Sequence, residues 1–383
     1  MKKVLALVLA GVMVLSLIAC SKAEEIKTKD EPIGEDVVEE TAENSEMDKL
    51  IEAAKADGKL TVYGSCEEAY ISAACQKFEK TYGIKVDYQR LSTGEVFTKI
   101  QEENGNPSAD VWFGGTTDPY NELAELGFLE PYDAMNASHL ISDKFMDAGH
   151  RWYGIYKGIL GFVVNSEELE RMGLEAPKDW DDLIKPEYKG LICISNPSTA
   201  GTAKLIINTM VQMKGHDEAM EYFKALDKNI YQYTKSGSGP TKMVGPGECV
   251  IGVAFLHDAI TQILAGYDSI QMIIPESGTS YEIGATAIFK GAKHPNAAKL
   301  WIEYALTPEC VNEGRENESY QFLLLDNVEQ PQEAIDFGLD PENVIDYDFE
   351  DAKANTATYV EDFFKAVTSG SADGADPSRF LTE

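Results

Sequence analysis

Several short loops in this sequence gather hydroxyls, glycines and free backbone amides: Gly64-Ser65, Ser92-Thr93-Gly94, Gly114-Gly115-Thr116-Thr117-Asp118 and Asn196-Pro197-Ser198-Thr199-Ala200-Gly201-Thr202. Such residues cradle a small oxyanion, because glycine lets the backbone approach closely and helix N-termini offer unpaired N–H groups. Any one loop also serves as a plain helix N-cap, worth about 1 kcal/mol. His257-Asp258 offers a second chemistry, a polar pair able to read hydroxyls, and Glu282 sits in the apolar stretch Tyr281–Phe289. A buried carboxylate needs a partner, and a ligand can supply one. Arg90 and Lys157 are the cations nearest these segments.

The catalytic patterns are thin. There is no Gly-x-Ser-x-Gly, no His-Glu-x-x-His, no P-loop and no Gly-x-Gly-x-x-Gly. The five histidines show no metal-ligand spacing, so neither a metal nor a cofactor is expected, and the chain does not read as an enzyme.

Alternating short apolar runs and longer amphipathic stretches position these loops, the βαβα pattern of a parallel sheet flanked by helices. Strands are expected at 60–63, 84–88, 110–113, 162–165, 191–195, 250–256 and 281–289. Helices are expected at 70–82, 95–103, 119–126, 203–213, 259–265, 295–306 and 354–367, with 326–350 acidic and loop-rich. In this arrangement each small-residue loop follows a strand, at the carboxyl edge where open α/β sheets accept ligands. The simplest architecture is two αβ lobes joined by two crossings: lobe 1 from 47–157 and 286–325, lobe 2 from 158–285, and a segment at 326–383 packed on both. A length of 383 residues suits two cores.

Charge limits the partners. With 33 Lys+Arg against 65 Asp+Glu the formal net charge is −32, which excludes nucleic acid and anionic membrane surfaces. Residues 1–19 read as a signal segment: Lys2 and Lys3, then an apolar run from Val4 to Ile18 too short to be a comfortable permanent span. Leu17-Ile18-Ala19-Cys20 resembles the bacterial lipobox, which implies cleavage before Cys20 and a lipid on its thiol. Removing two lysines takes the charge to −34. Residues 20–46 then form an acidic, solvated tether. These features place a monomer on the outer face of the cell membrane, held by the lipid alone. Cys66, Cys75, Cys193, Cys249 and Cys310 are odd in number and lack a Cys-x-x-Cys spacing, so they read as buried thiols.

Thr61-Val62-Tyr63-Gly64-Ser65, Arg90-Leu91-Ser92-Thr93-Gly94-Glu95, Asp110-Val111-Trp112-Phe113-Gly114-Gly115-Thr116, Gln232-Tyr233-Thr234-Lys235-Ser236-Gly237 and the 196–203 block resemble the ABC-transporter solute-binding proteins usually labelled ferric-type. The resemblance runs from Lys59 to Leu325. It implies a type II periplasmic-binding fold that closes on its ligand and delivers it to a membrane permease and ATPase. Members that bind ferric ion carry two adjacent tyrosines after the strand equivalent to 250–256; here His257-Asp258 stands in that place, and Tyr231 and Tyr233 are neither adjacent nor correctly placed. His257, Asp258 and Glu282 resemble instead the hexose-phosphate-binding branch. That branch implies sugar hydroxyls on these three side chains and phosphate on Ser65, Ser92, Thr93, Gly94, Gly115, Thr116, Ser198, Thr199, Gly201 and Thr202. Ferric ion, a phosphonate, a thiamine-type ligand and a sensory role beside a membrane kinase remain the alternatives.

Overall fold

The structure, a computed structural model, describes residues 35–368, with side chains described from Ser45 onward. Short β-branched and aromatic runs form the strands β1 (Lys59–Gly64), β2 (Lys85–Arg90), β3 (Val111–Thr116), β4 (Leu129–Glu130), β5 (Tyr153–Asn165), β6 (Ile192–Ser195), β7 (Ile230–Thr234), β8 (Ile251–Phe255), β9 (Ile270–Ile273), β10 (Tyr281–Phe289) and β11 (Phe322–Leu323). Their order is β2-β1-β3-β10-β5-β8-β6-β7, with β4 added to β10, and β9 and β11 added to β5.

Two parallel groups, β2-β1-β3 and β8-β6-β7, are thereby joined through antiparallel β10 and β5. The 13-residue β5 changes partners part-way along. Tyr153–Ile159 pairs with β10 and Leu160–Val164 with β8. The chain thus crosses from the first αβ half to the second along β5 and returns along β10. Each half has its own aromatic packing: Phe78, Phe113 and Tyr304 around Trp301 in the first, and Phe162 edge-to-face on Trp180 in the second.

The C-terminal helix Phe349–Thr368 packs against helix Thr117–Glu125 of the first half and against Gly201–Lys214 and His216–Leu226 of the second. Lys353 reaches Glu125 at 3.1 Å and Phe363 meets Phe223 at 5.2 Å. Within the stretch expected to be loop, Gln332–Asp336 forms a short helix. At the other end, helix Glu35–Asp57 runs across the boundary expected at residue 46, because Glu, Ala and Lys are strong helix formers even where charge is high. The lipobox at Cys20 and the first part of the tether lie outside the described residues. No helix among those described is long and apolar enough to cross a membrane. Cys66, Cys75, Cys193, Cys249 and Cys310 are free and buried.

Candidate ligand-binding site

The helices that follow the parallel strands point their N-termini at one place. Thr93–Glu103 follows β2, Thr117–Glu125 follows β3, Gly201–Lys214 follows β6 and Leu256–Leu264 follows β8. Between them lies a cleft cavity with about 430 Å³ of atom-free space, part of it open to solvent. Ser65, Ser92, Thr93, Gly115, Thr116, Gly201, Thr202, His257, Asp258 and Glu282 all line it.

One part of this lining is neutral. Ser92 caps the first helix in a reciprocal box with Glu95, whose Oε2 accepts from the Ser92 amide at 2.9 Å and its hydroxyl at 2.7 Å. Gly115 holds a left-handed φ of 83°, and its amide donates to the Tyr156 hydroxyl at 2.8 Å. The Thr116 hydroxyl is buried and has no protein partner among the described residues. A buried polar atom left unmatched costs free energy, so this oxygen is poised for a ligand. Ser65 already accepts from the Trp112 indole at 2.9 Å.

The other part is titratable. His257 Nε2 lies 3.7 Å from Glu67 and 4.0 Å from Asp258. Burial opposes charge on Glu67, yet hydrogen bonds from His257, Ser319 and Gln321 outweigh it and hold the carboxyl well below its usual range. Ser319 Oγ donates at 2.5 Å and Gln321 Nε2 at 3.0 Å. Burial likewise opposes charge on His257, but Glu67, Asp258 and Glu282 together push it up to about 9. Burial raises Asp258 to about 6 and Glu282 to about 8. The neighbouring carboxylates thus favour the charged form of His257, while burial favours the protonated forms of Asp258 and Glu282. Gly158 on β5 makes this crowding possible, since a Cβ there would sit 2.8 Å from Glu282 Oε1 and 2.9 Å from His257 Nδ1.

Not every expected residue is here. Gly94, Ser198 and Thr199 lie along a separate outer groove with Gln89 and Lys99. The Gly94 amide is taken by the Thr199 carbonyl at 3.1 Å, so these residues meet each other rather than the cavity. Lys157 is buried away from the cavity; its ammonium donates to the Pro341 carbonyl and lies 4.1 Å over the Tyr281 ring. Arg90 does line the cavity and forms no ion pair among the described residues. Gly237, from the 232–237 block, also lines it, as do Glu67, Tyr156, Ser238 and Phe255, which the sequence pattern does not single out. Glu67 lies two residues past Ser65, beyond Cys66, and that proximity to the Gly64-Ser65 loop is the signal the sequence offers.

The model of the family described as bacterial extracellular solute-binding protein matches residues 73–320. The chain belongs to that family. This solute-binding protein is similar in structure to AfuA, a periplasmic binding protein of Actinobacillus pleuropneumoniae solved with exogenous fructose-6-phosphate bound. The TM-score is 0.77 and the identity 36%, over 81% of this chain and 98% of the other. The periplasmic binding protein P5PA matches at TM-score 0.77 and 32% identity over 81% and 99% of the two chains. A Haemophilus influenzae protein with no stated function is 39% identical over 304 residues, covering 78% of this solute-binding protein and 87% of the relative. The fold is the type II periplasmic-binding fold: two αβ lobes joined by crossover strands, with the cavity in the cleft. Family and fold are those of binding proteins that work with an ABC permease, and the curated relatives include a putative 2-aminoethylphosphonate-binding periplasmic protein of Salmonella typhimurium, 26% identical over 216 residues and covering 54% of this chain and 60% of its own.

Proposed function

We propose that this solute-binding protein captures a hexose 6-phosphate outside the cytoplasm, as a monomer anchored by lipid on Cys20, and delivers it to its permease and ATPase. The observation that carries the reading is the segregation of the cavity. The hydroxyls of Thr93, Thr116 and Thr202 suit a phosphate beside Ser92 and Gly115, whose amides are engaged by Glu95 and Tyr156, whereas Asp258 and an ionised Glu67 would repel one. A hexose phosphate separates an anionic end from a hydroxylic end, so a single molecule satisfies both parts. His257 and a protonated Glu282 donate to sugar hydroxyls while Asp258 accepts from them. That AfuA was solved with fructose-6-phosphate bound supports a sugar phosphate as the ligand class.

One feature favours a second reading, a phosphonate carrying an ammonium group, because Glu67, Asp258 and Glu282 would also accept a cation. Ferric ion has less support: among the described residues Tyr156 is the tyrosine lining the cavity, and its hydroxyl is engaged by Gly115. Calorimetry with glucose 6-phosphate, inorganic phosphate, 2-aminoethylphosphonate and ferric citrate tests the reading. Tight binding of glucose 6-phosphate with weaker, measurable binding of inorganic phosphate is the expected result; a coloured iron complex with indifference to sugar phosphates overturns it. Intact mass of the membrane-extracted protein checks the anchor, which requires a chain beginning at Cys20 with added acyl mass.

A further inference from the structure

Gly94 is the second residue of helix Thr93–Glu103 in the first lobe, and Thr199 belongs to the loop after β6 in the second. Their hydrogen bond therefore spans the cleft. Beside it, Glu95 Oε1 pairs with Lys235 Nζ at 2.7 Å, again between lobes. Glu95 Oε2 is occupied by Ser92, and the Thr199 hydroxyl donates to the Lys235 carbonyl at 2.7 Å. The contacts form a closed circuit from Ser92 through Glu95, Lys235 and Thr199 back to Gly94.

Glycine at the second position of a helix sacrifices helix propensity that alanine would supply. Here its backbone is not left-handed, so conformation does not demand it. What a Cβ would meet is the Thr199 carbonyl oxygen at 2.8 Å, its carbon at 2.9 Å and the Ser198 oxygen at 3.0 Å. All three lie on the opposite lobe. We propose that Gly94 and the Thr199 carbonyl form the stop that sets how far the cleft closes, with Glu95–Lys235 as its latch. Gly94 is thus a positioning residue: it touches no ligand and governs whether the walls that do can meet. Burial opposes charge on Glu95, yet Lys235 and Ser92 keep its carboxyl below the ordinary range, so the latch stays charged at neutral pH.

The proposal rests on the closing-cleft reading above, and its test works without any ligand. In the full chain, Glu95→Cys with Lys235→Cys places one thiol on each side of the seam, and because cysteine is shorter than the glutamate and lysine it replaces, a short bis-maleimide rather than a direct disulfide bridges them whenever the seam forms. Cross-linking is expected in the ligand-free protein, and adding Gly94→Ala should slow it about 10- to 100-fold, the usual effect of overfilling a tight contact. Absence of cross-linking with Gly94 present, or an equal rate after Gly94→Ala, overturns the proposal. Gly94→Ala alone should keep or raise the thermal midpoint while weakening glucose 6-phosphate by a similar factor. A lowered midpoint would place the glycine's role inside its own helix and also overturn the proposal. If the cross-linking behaves as expected and glucose 6-phosphate binds neither protein, the stop stands and the ligand assignment falls.

Discussion

The two ends of the cleft solve opposite problems with different materials. The Ser92–Thr116–Thr202 end lines the cavity mainly with hydroxyls and helix N-termini, and its carboxylate, Glu95, is turned onto Ser92 and Lys235. The His257–Asp258–Glu282 end concentrates ionisable groups: burial raises the two carboxyls against the opposing pull of His257, and the carboxylates raise His257 against burial. The first can hold charge brought by a ligand; the second carries charge of its own and matches it with hydrogen bonds. On the proposed function an anion with a polyhydroxyl body would use both, so the contrast supports that reading more than any single residue does.

The largest expected effect breaks the titratable end alone. Hydrogen bonds to a charged group contribute about 1.5–3 kcal/mol, so Asp258→Ala should weaken glucose 6-phosphate by roughly 10- to 150-fold. Inorganic phosphate, which never reaches that end, should bind as before. Calorimetry with both ligands reads the difference, and parallel losses would mean that the two ends are not independent.

A smaller effect is expected from the neutral end. Thr116→Val keeps the shape of the side chain and removes a hydroxyl with no protein partner. Phosphate and glucose 6-phosphate should both weaken about tenfold, as for one hydrogen bond to an anion. The empty protein should be as stable as before, or more so, because an unmatched buried oxygen has gone. A stability loss without an affinity change would show that the Thr116 hydroxyl serves the fold.

How much of this contrast was visible beforehand follows from where each end is encoded. Ser92-Thr93, Gly115-Thr116 and Gly201-Thr202 are legible because strand ends and helix starts leave local signatures. Ser198 and Thr199 share that signature, but the seam between lobes claims them, and a seam is a relation between distant segments. Glu67 hides among 65 acidic residues; its partners Ser319 and Gln321 lie more than 250 residues away. Gly158 has no local mark either, since its importance lies in what His257 and Glu282 occupy. Among the strands, β5 shows its end at 162–165 but not its beginning. Every one of its 13 residues is buried, so no alternation betrays the segment around Gly154, Lys157 and Gly158. Helix Glu35–Asp57 was masked by reading acidic composition as solvated coil.

The last prediction sharpens the contrast through pH and has the smallest expected effect. Burial raises Glu282 to about 8 from an unfolded value near 4.5. The folded chain therefore holds a proton at this site that the unfolded chain has released, and stability must fall as pH rises from about 4.5 to about 8. Glu282→Gln keeps the hydrogen-bonding amide shape and removes the titration. The empty variant should gain thermal midpoint relative to the native chain, more at pH 8 than at pH 5. His257 acts in the opposite sense to a stabilising carboxylate. Its folded value near 9 exceeds the unfolded 6.5, so its contribution is complete below pH 6.5 and disappears as pH rises through 9. Between about pH 6.5 and 8 both trends lower stability in the native chain, whereas only the histidine trend survives in Glu282→Gln. Melting curves at half-unit pH steps separate them. An equal pH slope in both proteins would mean that Glu282 is already ionised in the folded state, and the titratable end would then carry one more negative charge than the ligand assignment allows.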